Sequence, residues 1–274
     1  MIERTDGLVL AEVTEHVCTV RLNNPERRNA WSAEMEEKYY EVLDLADRNG
    51  DVRVIVLTGV GRSFCPGMDT QRLTAASQSG VMAIDRRRPQ TYPLRIRKPM
   101  IAAINGACAG IGLMQAVNCD IRFASTTAKF TTAYSRRGLP AEYGSSWLLP
   151  KLIGVEAALD ILISGRVFDA QEAQRIGLVS RVVEADSLVE EVTAYARDLA
   201  VNCSPRSMAA IRRQIYGDLS RGFEESMTHT LAVMRDFAGQ PDFAEGVASF
   251  VEKRAPHFAP LDSGYKVAGD HDYH

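Results

Sequence analysis

Histidine is scarce in this sequence, and its five histidines show no spacing typical of metal ligands. His16 and His229 stand alone, and both are interpreted as structural. His271 and His274 lie in a polar C-terminal segment, where a solvated tail explains them better than a metal does. The sequence therefore predicts no metal centre.

Motifs of three common enzyme classes are also missing. Gly110 and Gly112 lack the third glycine of the dinucleotide-binding GxGxxG fingerprint. Neither a GxxxxGK[ST] phosphate loop nor a GxSxG nucleophile elbow occurs. We therefore expect no nicotinamide or flavin cofactor.

Charge, hydropathy and cysteine content exclude further classes. A net charge of −3 over 274 residues gives no indication of nucleic-acid binding. The uncharged segment at residues 99–119 is interpreted as a strand, a small-residue turn and a helix and not as a membrane span, and the N-terminus has no apolar signal core. The cysteines are odd in number and form no CxxC pair, which is typical of reduced, buried thiols. These features predict a cytoplasmic protein without nucleic-acid or membrane partners.

Strand-like and helix-like segments alternate in the first half of the chain, and the second half is mainly helical. This spacing indicates stacked β–α units. Ser32 is a candidate N-cap for a helix to about Arg48, as are Asp169 and Ser204 for later helices. Three or four helices are expected between residues 186 and 251. Strands are predicted at 8–13, 17–22, 53–58, 100–104 and 121–124, with a turn at 15–16.

Two loops that each follow a strand and precede a helix carry the strongest functional signal. The first is GRSFCPGMD at residues 61–69, and the second is INGACAGIG at residues 104–112. Free backbone N–H groups at a helix start favour negative charge. Two such donors from separate loops can form an oxyanion hole, which stabilises the negative oxygen of a reaction intermediate.

Together with three further motifs, these loops resemble the crotonase superfamily, which includes the enoyl-CoA hydratases and isomerases. The motifs are NPERRNA at 24–30, AQEAQRIGLV at 170–179 and FVEKRAPHF at 250–258. The resemblance implies an α/β fold, a crotonase-like spiral of repeated β-β-α units over residues 1–195. A helical C-terminal lid and trimerisation region would cover residues 196–258, and a loosely ordered tail residues 259–274.

The resemblance also implies a substrate and a site. The substrate would be an acyl-CoA thioester, with no cofactor beyond its coenzyme A moiety, bound by a homotrimer or hexamer. The backbone N–H groups of Met68 and Ile111 would be the oxyanion donors. Asp69 would in addition cap the helix that follows it. Residues implied in coenzyme A binding are Arg27, Arg28, Ala30, Cys65, Gly67, Asp69 and Lys253.

The sequence departs from the family's hydratases at both of their catalytic glutamates. The first would lie two residues after Gly112, where this chain has Met114. The second would lie six residues after Ala128, where it has Tyr134. Methionine cannot transfer a proton, and tyrosine, with an ordinary pKa of about 10, is a poor base near neutrality. Hydration by two glutamates is therefore not expected, although Tyr134 is a candidate substrate contact.

One carboxylate remains nearby, that of Glu142, between Pro140 and Gly144. Some family members that shift double bonds carry an acid here. In an apolar pocket its pKa would rise, so that it could act as a base and then as an acid. One such group suffices for isomerisation, which makes Glu142 the candidate acid/base. The alternative interpretation is that Glu142 caps the following helix.

Two other functions stay open. In a family hydrolase that cleaves a carbon–carbon bond of a CoA ester, Glu142 would orient water. In a non-catalytic acyl-CoA-binding protein, the ester would bind tightly without turnover.

Overall fold

The fold is built on two β-sheets surrounded by helices, in a computed structural model that describes residues 7–80 and 88–267. His271 and His274 lie outside these residues. The strands are β1 Val9–Thr14, β2 Val17–Leu22, β3 Val54–Gly59, β4 Ser63–Cys65, β5 Met100–Ile104, β6 Ala107–Ala109, β7 Ile121–Ser125, β8 Lys129–Thr131, β9 Phe168–Asp169 and β10 Arg181–Val183. The helices are α1 Ala33–Arg48, α2 Thr70–Ser79, α3 Ile111–Val117, α4 Ser145–Ile153, α5 Val155–Ser164, α6 Ala170–Arg175, α7 Leu188–Asn202, α8 Pro205–Asp218, α9 Phe223–Ala238 and α10 Pro241–Glu252.

The chain contributes strands to the two sheets in turn. The larger sheet has the order β1-β2-β3-β5-β7-β10 and the smaller one β4-β6-β8-β9. Each of the pairs β3/β4, β5/β6 and β7/β8 therefore places one strand in each sheet, which is the predicted β-β-α repeat. Strands β4, β6 and β8 are parallel. Their carboxyl ends meet at one edge, so the three loops that follow them converge there.

The predicted hairpin and helix caps are confirmed. Glu15 and His16 have positive φ angles of 48° and 68°, as a tight turn between antiparallel strands requires. The Ser32 hydroxyl accepts a hydrogen bond from the Met35 amide at 3.1 Å, so α1 begins where its sequence predicts. Asp169 and Ser204 cap α6 and α8 in the same way.

Strand β3 is buried on both faces, as its continuous apolar run predicts. Ile55 and Leu57 join the core cluster that contains the smaller sheet and α1. Val54 and Val56 face the opposite side, where they pack with the buried residues of α7. Helix α7 spans residue 195, so the predicted core boundary falls inside a helix that packs on the sheet. The division into regions remains a prediction.

The C-terminal region contains the four helices α7 to α10, in agreement with the predicted three or four. Helices α9 and α10 carry exposed apolar side chains, Phe223, Met234 and Phe250 among them. Among the described helices, none combines the length and the apolar character needed to cross a membrane.

The tail differs from the loosely held segment that its polar sequence predicts, as far as residue 267. Leu261 and Val267 are buried. The Arg97 guanidinium donates to the backbone carbonyls of Asp262 and Ser263 at 3.0 and 2.8 Å. These contacts fix the segment to the core, and residues 268–274 lie outside the described part.

Candidate active site

A pocket lies where the loops after β4, β6 and β8 converge. It contains all four predicted catalytic residues, which are separated by up to 74 positions in sequence. Its lining consists of Met68, Leu73, Gly110, Ile111, Tyr134, Arg137, Leu139, Glu142 and Tyr143.

The first loop presents the Met68 amide without an internal partner. Its neighbours are fixed, since the Trp31 amide donates to the Gly67 carbonyl at 2.8 Å and the Asp69 amide donates to the Trp31 carbonyl at 3.2 Å. Among the described residues, none accepts a hydrogen bond from the Met68 amide. The loop turns at Gly67, whose φ of 111° suits glycine.

The second loop presents the Ile111 amide in the same way. Ile111 is the first residue of α3, where an amide has no acceptor within the helix. The loop is tied to β8 because the Gly110 amide donates to the Thr131 carbonyl at 3.0 Å. A Cβ on Gly112 would lie 2.3 Å from the Cys65 carbonyl oxygen. The two loops therefore lie closer together than a residue with a Cβ at position 112 would permit.

Glu142 is half-buried at the pocket. Burial raises the pKa of its carboxyl group, and the charge of Arg137 opposes this shift. The residue that caps α4 is Gly144, with no side-chain hydrogen bond at this end. The capping alternative for Glu142 is therefore wrong, which leaves its carboxylate free for the pocket.

Tyr134 and Met114 occupy the two positions of the missing glutamates, in different surroundings. Tyr134 lines the pocket and is only 4% exposed. Burial and the charge of Glu142 raise the pKa of its phenol, so it is protonated near neutral pH. Met114 is fully buried among core residues of α3 and does not line the pocket.

The residues implied in coenzyme A binding are partly brought together. The Arg27 guanidinium and the Asp69 carboxylate form an ion pair at 3.1 Å, which joins the NPERRNA segment to the loop at residues 61–69. Asp69 also accepts a hydrogen bond from the Gln71 amide at 2.9 Å, which confirms it as the cap of α2. Arg28 is exposed and Ala30 half-buried in the same loop as Arg27.

Two residues of that set lie apart. Cys65 is fully buried and packs against Gly112, so its thiol shapes the loop and does not reach solvent. Burial raises the pKa of this thiol to about 12. Lys253 ends α10 and makes no hydrogen bond or ion pair with the described residues of the Arg27 loop.

Sequence reasoning missed several residues that build the site. The buried Asn29 side chain donates to the carbonyls of Val60 and Ser63 at 3.0 and 2.8 Å, which fixes the Arg27 loop against β4. Tyr143 and Leu139 line the pocket beside Glu142. Arg137 lines it too. Proximity to Glu142 in sequence was the available signal.

Within residues 7–80 and 88–267, no group of three or more His, Cys, Asp or Glu side chains is placed to hold a metal ion. The five cysteines are free, and four of them are buried.

Comparisons with known proteins agree with this arrangement. The family model for enoyl-CoA hydratase/isomerase matches residues 12–260. The 1,2-epoxyphenylacetyl-CoA isomerase of Escherichia coli is 31% identical over 256 residues, which are 91% of this chain and 97% of that protein. The (E)-benzylidenesuccinyl-CoA hydratase of Thauera aromatica is 33% identical over 252 residues, 91% of this chain and 98% of the relative.

A solved structure shares the fold. The crystal structure of an enoyl-CoA hydratase from Polaromonas sp. JS666 superposes with a TM-score of 0.81 and 30% identity, covering 92% of this chain and 100% of that one. The β-β-α repeat, the converging loops and the match over nearly the whole length have one explanation. This chain is an enzyme of the enoyl-CoA hydratase/isomerase family, within the crotonase superfamily.

Proposed function

We propose that this enzyme moves the double bond of an acyl-CoA thioester through an enolate intermediate, with Glu142 as the single acid/base. The observation that carries the proposal is the composition of the pocket. Met68 and Ile111, whose backbone amides have no partner among the described residues, line it together with Glu142, whereas the positions of the hydratase glutamates hold Met114 and Tyr134.

The amides of Met68 and Ile111 supply the electrostatic part of the mechanism. When the carbon next to a thioester loses a proton, the negative charge moves to the thioester oxygen. Two fixed donors bind this oxyanion more tightly than the ground-state carbonyl, and such differential binding lowers the barrier.

Glu142 supplies the proton transfer. As a carboxylate it takes a proton from one carbon of the acyl chain, and as the resulting acid it returns a proton to another. The raised pKa of its carboxyl group brings both forms closer in free energy near neutral pH. The Escherichia coli relative is named an isomerase and the Thauera aromatica relative a hydratase, so the choice between the two reactions rests on the residues of the pocket.

The binding of coenzyme A and the assembly of the enzyme are also proposed. The coenzyme A moiety would lie along the loop of Arg27, Arg28 and Ala30 and across Gly67 and Asp69. A cytoplasmic homotrimer or hexamer would bury the exposed apolar side chains of α9 and α10. In such an assembly, Lys253 at the end of α10 would bind coenzyme A phosphates.

The test is the absorbance of the conjugated enoyl thioester after the protein is mixed with a trans-3-enoyl-CoA. We expect the absorbance to rise with the wild-type protein, and the rate to fall roughly 10²–10⁴-fold in Glu142→Gln. Glu156→Gln, which removes an exposed acid from α5, is the control and should keep the wild-type rate.

Binding of the same ester is measured by calorimetry in the same samples. Binding without any rise in absorbance would overturn the isomerase proposal in favour of the non-catalytic binder. Release of a ring-opened or cleaved acid from a cyclic or β-diketone CoA ester would favour the hydrolase. A rise that survives in Glu142→Gln would remove Glu142 from the mechanism.

A further inference from the structure

Two buried hydroxyl groups beside Glu142 have no hydrogen-bond partner in the described structure. They are the phenol of Tyr134, which lines the pocket, and the hydroxyl of Ser145, the first residue of α4. Tyr134 is 4% exposed and Ser145 is fully buried. The Ser145 hydroxyl lies near enough to the phenol to oppose the rise in its pKa, although the two groups form no hydrogen bond of ordinary geometry.

Such a pair is costly to the folded protein. A buried polar group without a partner forfeits the hydrogen bonds that water gave it in the unfolded chain. Native structures retain few of them, and those at a pocket are typical of groups that a ligand completes. Tyr39 has a buried, unpartnered phenol too, but it does not line the pocket.

The protonation state of the Tyr134 phenol determines which kind of atom it can bind. Burial and the charge of Glu142 keep the Tyr134 phenol protonated, so this group donates a hydrogen bond. In the proposed function, the thioester oxygen already accepts hydrogen bonds from the amides of Met68 and Ile111. The atom that Tyr134 meets is therefore a second acceptor on the substrate, close to the carbon that Glu142 deprotonates.

We propose that Tyr134 binds an oxygen atom carried by the acyl group, with Ser145 as the residue that positions its phenol. The substrate class is then an oxygen-bearing acyl-CoA, in which a hydroxyl, carbonyl or epoxide oxygen lies near the reacting carbons, and not a plain enoyl-CoA. This inference rests on the proposed function, because it assigns the thioester oxygen to the two amides.

The experiment measures equilibrium binding of CoA esters that share one chain length. Calorimetry compares butyryl-CoA with 3-hydroxybutyryl-CoA, 4-hydroxybutyryl-CoA and acetoacetyl-CoA. We expect at least one oxygenated ester to bind about tenfold more tightly than butyryl-CoA, as one additional hydrogen bond to a buried donor provides. Tyr134→Phe should abolish this preference and leave the affinity for butyryl-CoA unchanged, and Ser145→Ala should reduce it.

Two controls separate the subsite from folding and from catalysis. Tyr39→Phe removes a buried, unpartnered phenol away from the pocket and should keep the preference. The panel is also titrated with Glu142→Gln, so that binding is read without the proposed proton transfer, and failure of the isomerase assay leaves this test intact.

Equal affinity for all four esters in the wild-type protein would overturn the proposal. So would a preference that survives in Tyr134→Phe. A Tyr134→Phe protein that melts as the wild type does but loses affinity for every ester equally would assign the phenol to the shape of the pocket instead.

Discussion

The two halves of the pocket are built by different means. The amide half consists of the backbone N–H groups of Met68 and Ile111, held by parallel strands and by the close contact of two loops. The side-chain half is the segment 134–145, which contributes Tyr134 and Glu142 from a loop with little regular structure.

The amide half can serve any reaction that passes through an oxyanion, whereas the side-chain half determines which proton transfers the pocket can perform. Substitution at Met68 or Ile111 changes a side chain but leaves the N–H donor in place, so the amide half persists through sequence change. A single replacement in the side-chain half removes or adds a proton-transferring group. In this chain Tyr134 stands where a hydratase has a glutamate, and Glu142 is the remaining acid.

Gly112→Ala should displace the amide half and have the largest effect among changes that leave the proton-transferring side chains in place. Alanine normally favours a helix over glycine, but here its Cβ would lie 2.3 Å from the Cys65 carbonyl oxygen. The loops must separate, which displaces the Ile111 amide. We expect kcat to fall about 10²-fold or more and the free energy of unfolding to drop by about 1–3 kcal/mol. Steady-state kinetics and thermal melting measure the two effects.

The control for this prediction is Gly246→Ala in α10. Its Cβ would meet only the Phe258 ring, at 3.9 Å, so kcat should stay at the wild-type value. Wild-type kcat in Gly112→Ala would contradict the role of the loop contact.

The pH dependence of stability tests the side-chain half of the pocket, through the carboxyl group of Glu142. Burial raises the pKa of this carboxyl group in the folded protein above its value in the unfolded chain. The native state then holds the proton more tightly, and stability falls as pH rises from the unfolded pKa through the folded pKa. The Tm of Glu142→Gln should therefore rise relative to the wild-type Tm as pH increases from 4 to 8.

The activity of the wild-type protein should follow the same group. If Glu142 is the initial base, as proposed, kcat/KM should fall on acidification, with a midpoint above about 4.3, the ordinary pKa of glutamate. Melting curves and pH–rate profiles provide both measurements, with Glu156→Gln as the control for the Tm trend. A Tm difference that shrinks with increasing pH would contradict the burial of Glu142.

Much of the fold could be predicted from the sequence because its signals are local. The Ser32 cap, the turn at Glu15 and His16, and the apolar run of β3 each depend on neighbouring residues. The packing of residues 259–267 could not, because it depends on the distant Arg97, whose guanidinium holds two backbone carbonyls of that segment.

The site follows the same rule. Met68, Ile111 and Glu142 were identifiable because motifs and a resemblance mark their positions. Ser145 was not, since a serine at a helix start is usually a cap, and only the packed structure brings its unpartnered hydroxyl beside Tyr134. Cys65 lies in a motif as well, but its place there says nothing of the burial of its thiol.

Arg27→Ala should have the smallest effect. It tests whether the Arg27 side chain, which is paired with Asp69 beside the amide half, binds the coenzyme A moiety. Arg27 is 46% exposed, so its ion pair with Asp69 is screened by solvent and contributes about 0–1 kcal/mol to stability. Asp69 keeps its hydrogen bond from the Gln71 amide, and α2 stays capped. We expect a nearly unchanged Tm and a KM for CoA esters raised about threefold, in line with the loss of one exposed charge contact.

Asp69→Asn distinguishes the two roles of Arg27. Asparagine also caps helices well, but it releases the guanidinium from its partner. If Arg27 binds an anionic group of coenzyme A, this variant should lower KM or leave it unchanged, whereas Arg27→Ala raises it. If the ion pair only holds the two loops together, both variants should raise KM alike, and the coenzyme A role of Arg27 would be lost.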